Sequence, residues 1–135
     1  MLCKMITFDR KKDKVAIIAP SSACRDKEGN FDREISRSNL EVAISLFEEH
    51  GFSCKYDEKI FTAGSLEYFA ASKEERLKQL IEAIEDPEVK IISIFRGGYG
   101  AGEIVFDCLK VKPSGPKIFI GYSDGTVLHF LFNQH

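Results

Sequence analysis

The 135 residues include no tryptophan, only two methionines and four prolines, and no long hydrophobic run. The longest apolar stretches, 91–95 and 127–132, are far shorter than the ~20 residues that span a bilayer, so no membrane span is expected. An excess of positive charge is also missing: 19 Lys and Arg stand against 21 Asp and Glu, for a net charge of −2. Binding to a phosphate backbone calls for the opposite balance, which argues against a nucleic-acid partner. Cys3, Cys24, Cys54 and Cys108 form no CxxC pair and have no clustered histidine beside them, so neither a zinc site nor a redox motif is predicted. The first twelve residues carry too brief an apolar run, and no small-residue cleavage signal, for a secretory leader. The resulting expectation is a cytosolic protein with free thiols.

What is present, 44% hydrophobic and 30% charged residues, suits one globular domain with an ordinary core. Residues 1–13 read as an N-terminal extension and 14–135 as the domain. The β-branched run at 14–19, closed by Pro20, predicts a strand buried on both faces. After a polar loop, Asp32 and Glu34 precede Ile35, Leu40, Val42, Ala43, Leu46 and Phe47, apolar positions that predict a helix to about His50. Gly51 then stops that helix at a left-handed position. A weaker strand is expected at 52–56. A second helix at 73–85 opens on Ser72 and Glu75, which are spaced for a capping box, and carries the stripe Leu77, Leu80, Ile81 and Ile84. A strand at 89–95, a glycine-rich turn at 96–102, a short helix at 103–109, a strand at 117–121 and a helix from Ser123 complete the order βαβαβαβα. That alternation defines an α/β fold: an open parallel sheet with helices on both faces, flavodoxin-like or Rossmann-like. Ligands of such sheets sit at the carboxyl ends of the strands, where loops 20–25, 96–102 and 121–124 converge.

Gly121-Tyr122-Ser123-Asp124-Gly125 fits G-x-S-x-G, with an apolar strand before it and an apolar helix after it. A tight strand-to-helix turn would lift the Ser123 hydroxyl above the sheet edge, and the Asp124 amide at the helix start would face a developing oxyanion. The same pentapeptide fits a second use, in which Ser123 is only an N-cap and Asp124 complements the helix dipole. The run Arg96-Gly97-Gly98-Tyr99-Gly100-Ala101-Gly102 fails both nucleotide-binding patterns, because Glu103 stands where a phosphate loop needs Lys and where the dinucleotide pattern needs its third glycine. Gly97 and Gly98 instead qualify as donors of a second oxyanion amide, or as a plain βα turn. Arg96 could hold a substrate carboxylate through its planar fork, or join an ordinary ion pair.

Pro20-Ser21-Ser22 after the first strand, 71–76 before a helix ending in Asp86-Pro87, Arg96-Gly97-Gly98-Tyr99-Gly100, and Pro116-Lys117 through Gly121-Tyr122-Ser123-Asp124 with Thr126 and Leu128 together resemble the LD-carboxypeptidases. This serine peptidase family includes muramoyltetrapeptide carboxypeptidases and microcin C immunity peptidases. The resemblance covers 14–133. It implies removal of a terminal D-amino acid from cytosolic murein peptides in peptidoglycan recycling, by a Ser-Glu-His triad with no metal or other cofactor. It also implies that Ser123 attacks, that the Asp124 amide and a glycine amide from Gly97 or Gly98 hold the oxyanion, and that Ser21, Ser22, Arg96 and Tyr99 border the substrate.

The chain departs from the family pattern at its end. The triad Glu and His of the family lie in a second domain beyond the last position here, so no residue takes either role by motif. His129 is six residues past Ser123, about 240° around a helix after one full turn, which points it away from the serine. His50 falls at a helix end and His135 at the terminus, and neither suits a base. The isolated chain is therefore expected to be nearly inactive. Apolar surface at Phe130, Leu131 and Phe132 is expected to be covered by the absent C-terminal domain or by a homodimer partner. Two other readings stay open: a remnant that binds a peptide or carboxylate without reacting, and an unrelated α/β-hydrolase esterase. The second does not account for the 96–100 loop.

Overall fold

A computed structural model describes residues 6–64 and 68–133; Cys3 and His135 lie outside the described residues. Four strands, β1 (Lys14–Ile18), β2 (Ser53–Lys55), β3 (Val89–Ile94) and β4 (Ile118–Ile120), form one sheet in the order β2-β1-β3-β4, every pair parallel. Helix α1 (Arg33–Glu48) joins β1 to β2, and α2 (Lys73–Glu85) carries the chain back across β1 to β3. Connections thus leave β1 and β3 in opposite directions. The crevice between the carboxyl ends of these two strands is the switch point at which open α/β sheets bind ligands.

Alternation along β1 divides the core. Val15, Ile17 and Ala19 pack with Leu40 of α1 and with Ile60 and Phe61 of a 3-10 turn (Glu58–Phe61) on one face. Ala16 and Ile18 pack with Leu80, Ala83 and Ile84 of α2 on the other, together with Ile92, Ile94 and Leu128. Helices on both faces agree with the sequence reading. The predicted extension is tied to this body, since the Phe8 ring meets Phe52 edge to face at 5.9 Å and joins the α1-side core. Among the described residues no helix is long and apolar enough to cross a membrane.

Helix α2 has the predicted bounds because both ends are written locally. The Ser72 hydroxyl accepts from the Glu75 amide at 3.2 Å while the Glu75 carboxylate accepts from the Ser72 amide at 3.1 Å, a complete capping box. Replacing Ser72 by alanine should lower stability by about 1 kcal/mol in urea unfolding, and threonine should restore most of it. Lys117 secures the other end of the connection: its Nζ donates to Asp86 O at 2.8 Å, to Val89 O at 2.7 Å and to Ser114 Oγ at 3.1 Å, and burial together with Lys90 pushes its ammonium down to about 8.

Several sequence expectations change. Val42 and Leu46, counted among the apolar positions of α1, are 60% and 58% exposed, because they lie on the flank opposite Leu40. The helix expected at 103–109 is a short α3 (Ala101–Ile104) followed by a 3-10 turn (Phe106–Cys108), with Phe106 exposed. The helix expected from Ser123 starts as a 3-10 segment (Ser123–Leu128) and becomes α only in α4 (His129–Phe132). Of the three apolar residues expected on the surface there, Phe130 is exposed, Leu131 is buried, and Phe132 stacks on Phe119 at 4.6 Å.

Candidate active site

Strand β4 delivers the chain to Tyr122, which is extended, and Ser123 then turns sharply with φ at +51°. A left-handed serine between a strand and a helical turn is the strained arrangement expected of a nucleophile elbow. The Ser123 side chain is exposed, and among the described residues its hydroxyl has no hydrogen-bond partner. Gly97 backs it: a Cβ added there would sit 2.8 Å from Ser123 Cβ, 2.9 Å from Oγ and 3.8 Å from the Asp124 nitrogen. Only a residue without a side chain fits between β3 and the serine. Gly98 leans elsewhere, against Ser22. Of the two glycines proposed beside the oxyanion, Gly97 is therefore the one in contact with the serine.

The carboxylate of Asp124 has a use that the motif did not reveal. Its Oδ2 accepts from Ser21 Oγ at 2.7 Å and from the Ala101 amide at 2.8 Å. One oxygen thus holds the loop after β1, the start of α3 and the serine turn in register. Ser22 does similar work, with its amide donating to Gly97 O at 3.3 Å and its hydroxyl accepting from the Tyr99 amide at 3.0 Å. Ser21 and Ser22 are 0% and 4% exposed. Their expected contact with substrate is corrected accordingly: both side chains are engaged inside the protein, and they shape the crevice from behind. Arg96 and Tyr99 do reach the surface. Arg96 is half-buried and donates from Nη1 to Ala23 O at 2.7 Å, while Tyr99 is 58% exposed and its ring lies 6.2 Å from that of Phe69.

Arg76 is a structural side chain of the site that the sequence motifs do not single out. It is 2% exposed, and from the first turns of α2 its Nη1 donates to Pro20 O at 3.0 Å and Gly100 O at 2.8 Å. Nη2 pairs with Glu103 Oε2 at 2.5 Å, and the guanidinium carbon lies 4.8 Å from the Phe69 ring centre. The loops after β1 and β3 are therefore fastened to one cation. The available signal was its position, four and seven residues before Leu80 and Ala83 on the buried stripe of α2.

No base stands beside the serine among the described residues. His129 packs edge to face on Phe119 at 4.8 Å, with Nε2 3.0 Å from Gly121 O, and His50 Nδ1 lies 2.8 Å from Leu46 O. Both are capping or packing histidines; for His129 the α-helical offset of about 240° does not apply, because the segment between it and Ser123 is 3-10, and its packing on Phe119 is what engages the ring.

A parallel α/β domain with a serine elbow beside a glycine-lined switch point defines the class. The LD-carboxypeptidase N-terminal domain model matches residues 15–135, and the chain belongs to that family. It is 30% identical over 124 residues to a murein tetrapeptide carboxypeptidase of Pseudomonas aeruginosa, a match spanning 90% of this chain and 36% of the relative. The crystal structure of a muramoyltetrapeptide carboxypeptidase from Oxalobacter formigenes superposes with a TM-score of 0.64 at 31% identity, covering 90% of this chain and 37% of that one. The microcin C7 self-immunity protein MccF, in complex with aspartyl sulfamoyl adenosine, gives a TM-score of 0.67 at 19% identity over 91% of this chain and 34% of its own, a likeness of fold. The chain spans about a third of the length of the curated relatives it matches.

Proposed function

We propose that this chain is the nucleophile-bearing part of a serine LD-carboxypeptidase that releases the terminal D-amino acid from murein tetrapeptides during cytosolic peptidoglycan recycling. The observation that carries the reading is the left-handed Ser123 held against Gly97 at the switch point of the sheet. Ser123 Oγ attacks the carbonyl of the terminal peptide bond, and the oxyanion is received by the Asp124 amide and an amide of the 97–98 turn. Arg96 and Tyr99 line the substrate. The amine leaves with a proton that passed from Ser123 through a general base. The described residues place no such base, so a Glu and His from the portion that only the longer relatives span, or from a partner copy, complete the triad. Without them the chain binds peptide and turns it over at a background rate.

The test is release of D-alanine from L-Ala-γ-D-Glu-diaminopimelate-D-Ala, followed by mass spectrometry. The chain alone should release almost none. Joined to the C-terminal two thirds of the Pseudomonas aeruginosa relative, it should hydrolyse the peptide, and Ser123→Ala should reduce that rate by at least about 10⁴-fold. Release that survives Ser123→Ala refutes the assignment of the nucleophile.

A further inference from the structure

Strand β2 is an edge of the sheet and ends at Lys55, opposite Ala16, whereas β1 continues to Ile18. Helix α2 does not fill the space beyond that end, because Leu80 and Ile84 of its buried stripe pack with Ile92 and Ile94 of β3. A pocket of about 250 Å³ remains between α2 and the carboxyl ends of β1 and β2. It falls below the ~300 Å³ at which pockets begin to hold drug-sized ligands, so it suits a smaller molecule. Its apolar side is Ala16, Ile18 and Ala83. The rest of the wall is polar. Gln79 is 4% exposed, and its Oε1 accepts from the Ala19 amide at 3.0 Å, which fixes the orientation of the side-chain amide. Its Nε2 is buried and has no hydrogen-bond partner among the described residues. Native proteins seldom bury a donor without an acceptor, so these hydrogens call for one from outside the chain. Lys55 is in register with Ala16 and lies on the same face of the sheet, where its ammonium bonds Asp86 Oδ2 at 2.5 Å and keeps two further hydrogens. Two carboxylates share the wall with it. Asp57 Oδ1 accepts from the Lys59 amide at 2.8 Å, which leaves Oδ2 for another donor, and the ion pair of Glu82 with Lys78 is long, at 3.7 Å.

We propose that this pocket binds a free amino acid as its zwitterion. Gln79 Nε2 and the Lys55 ammonium receive the carboxylate, Asp57 and Glu82 receive the ammonium, and an aliphatic side chain lies over Ala16, Ile18 and Ala83. Each polar group of the wall thereby meets a ligand group of matching sign, and the unmet hydrogens of Gln79 find an acceptor. The inference takes no residue from the Ser123 turn and does not depend on the reaction there.

The experiment is an NMR titration of the isotope-labelled 135-residue chain that follows the side-chain amide signals of Gln79. The probes are L-leucine, isocaproate, which lacks the ammonium, and isoamylamine, which lacks the carboxylate. Leucine should shift the Gln79 signals saturably, with half-saturation at or below about 1 mM. Each truncated probe should bind at least about tenfold more weakly. Glu82→Lys should weaken leucine about fivefold or more, and should leave isocaproate bound as before or more tightly. The Glu82 side chain is 59% exposed, so that variant stays folded, whereas Gln79→Leu, which should abolish binding, also frees the Ala19 amide. Equal affinities for the three probes, or an unchanged leucine affinity in Glu82→Lys, would overturn the proposal. So would Gln79 signals that respond to no probe in the folded chain, since water alone would then serve the Nε2 hydrogens. Leucine shifts confined to residues 96–99 and 122–124 would place the amino acid in the serine crevice, overturning this site while leaving the Ser123 reading intact.

Discussion

Replacing Arg76 by leucine is expected to lower the free energy of unfolding by about 3 kcal/mol, roughly 1.5 M in urea midpoint for an m-value of about 2 kcal/mol/M. Leucine keeps much of the buried volume but donates nothing. The carbonyls of Pro20 and Gly100, both on buried residues, lose the Nη1 hydrogen that now serves them at 3.0 and 2.8 Å. Gly100 O keeps its bond from the Glu103 amide at 3.1 Å, so the larger cost falls on the buried Pro20 carbonyl, about 1–3 kcal/mol, with the loss of the charged donor at Gly100 O adding less. The Glu103 carboxylate contributes less to the loss, because its side chain is 39% exposed and rehydrates when its partner goes. Arg76→Lys should recover less than half of the stability. A single ammonium cannot repeat a planar fork that reaches two carbonyls and a carboxylate while lying on the Phe69 face. A leucine variant within about 0.5 kcal/mol of wild type would show that the two loops are held by other contacts.

The contrast between α2 and Arg76 shows which information is local. The bounds of α2 were legible to the residue because Ser72, Glu75 and the Asp86-Pro87 stop act within one turn of themselves. The strands were legible for a similar reason: β1 and β3 are buried on both faces, and runs such as Ile91, Ile92, Ile94 have no other good use. Arg76 follows Glu74 and Glu75 and reads as another solvated charge, since its acceptors are 56 and 24 residues away. Ser21 and Ser22 border the substrate only by family resemblance, and nothing local announces their partners Asp124 and Tyr99, which lie 103 and 77 residues off. G-x-S-x-G predicts the sharp turn at Ser123, whereas the helix expected to follow it is a 3-10 segment. The positive φ of Ser123 and the close packing of Gly125 on Ile94 tighten the chain into a 3-10 segment, and neither follows from the apolar pattern of 126–132. The site was thus legible where a short motif fixes the backbone. It was hidden where distant side chains hold that backbone in place.

Two alanine substitutions four residues apart should have opposite effects for that reason. Gly98 has φ at +113°, a region that side-chain-bearing residues rarely adopt, and a Cβ there would collide with the Ser22 hydroxyl and lie 2.5 Å from Ser22 Cβ. Gly98→Ala is therefore expected to lower stability by about 3 kcal/mol, backbone strain and steric displacement adding at one atom. Gly102 lies within α3, without a positive φ and with open space where its Cβ would be, so Gly102→Ala should raise stability by about 0.5–1 kcal/mol. Urea unfolding of the two variants gives the comparison, and hydrogen exchange at the Tyr99 amide locates it. That amide donates to Ser22 Oγ at 3.0 Å, and Gly98→Ala should expose it to exchange while Gly102→Ala leaves it protected. If Gly98→Ala is tolerated as well as Gly102→Ala, the turn does not need the close approach to Ser22. If it is not, Ser22 and Gly98 form the contact through which the loop after β1 sets the position of Gly97, and with it the wall against which Ser123 stands.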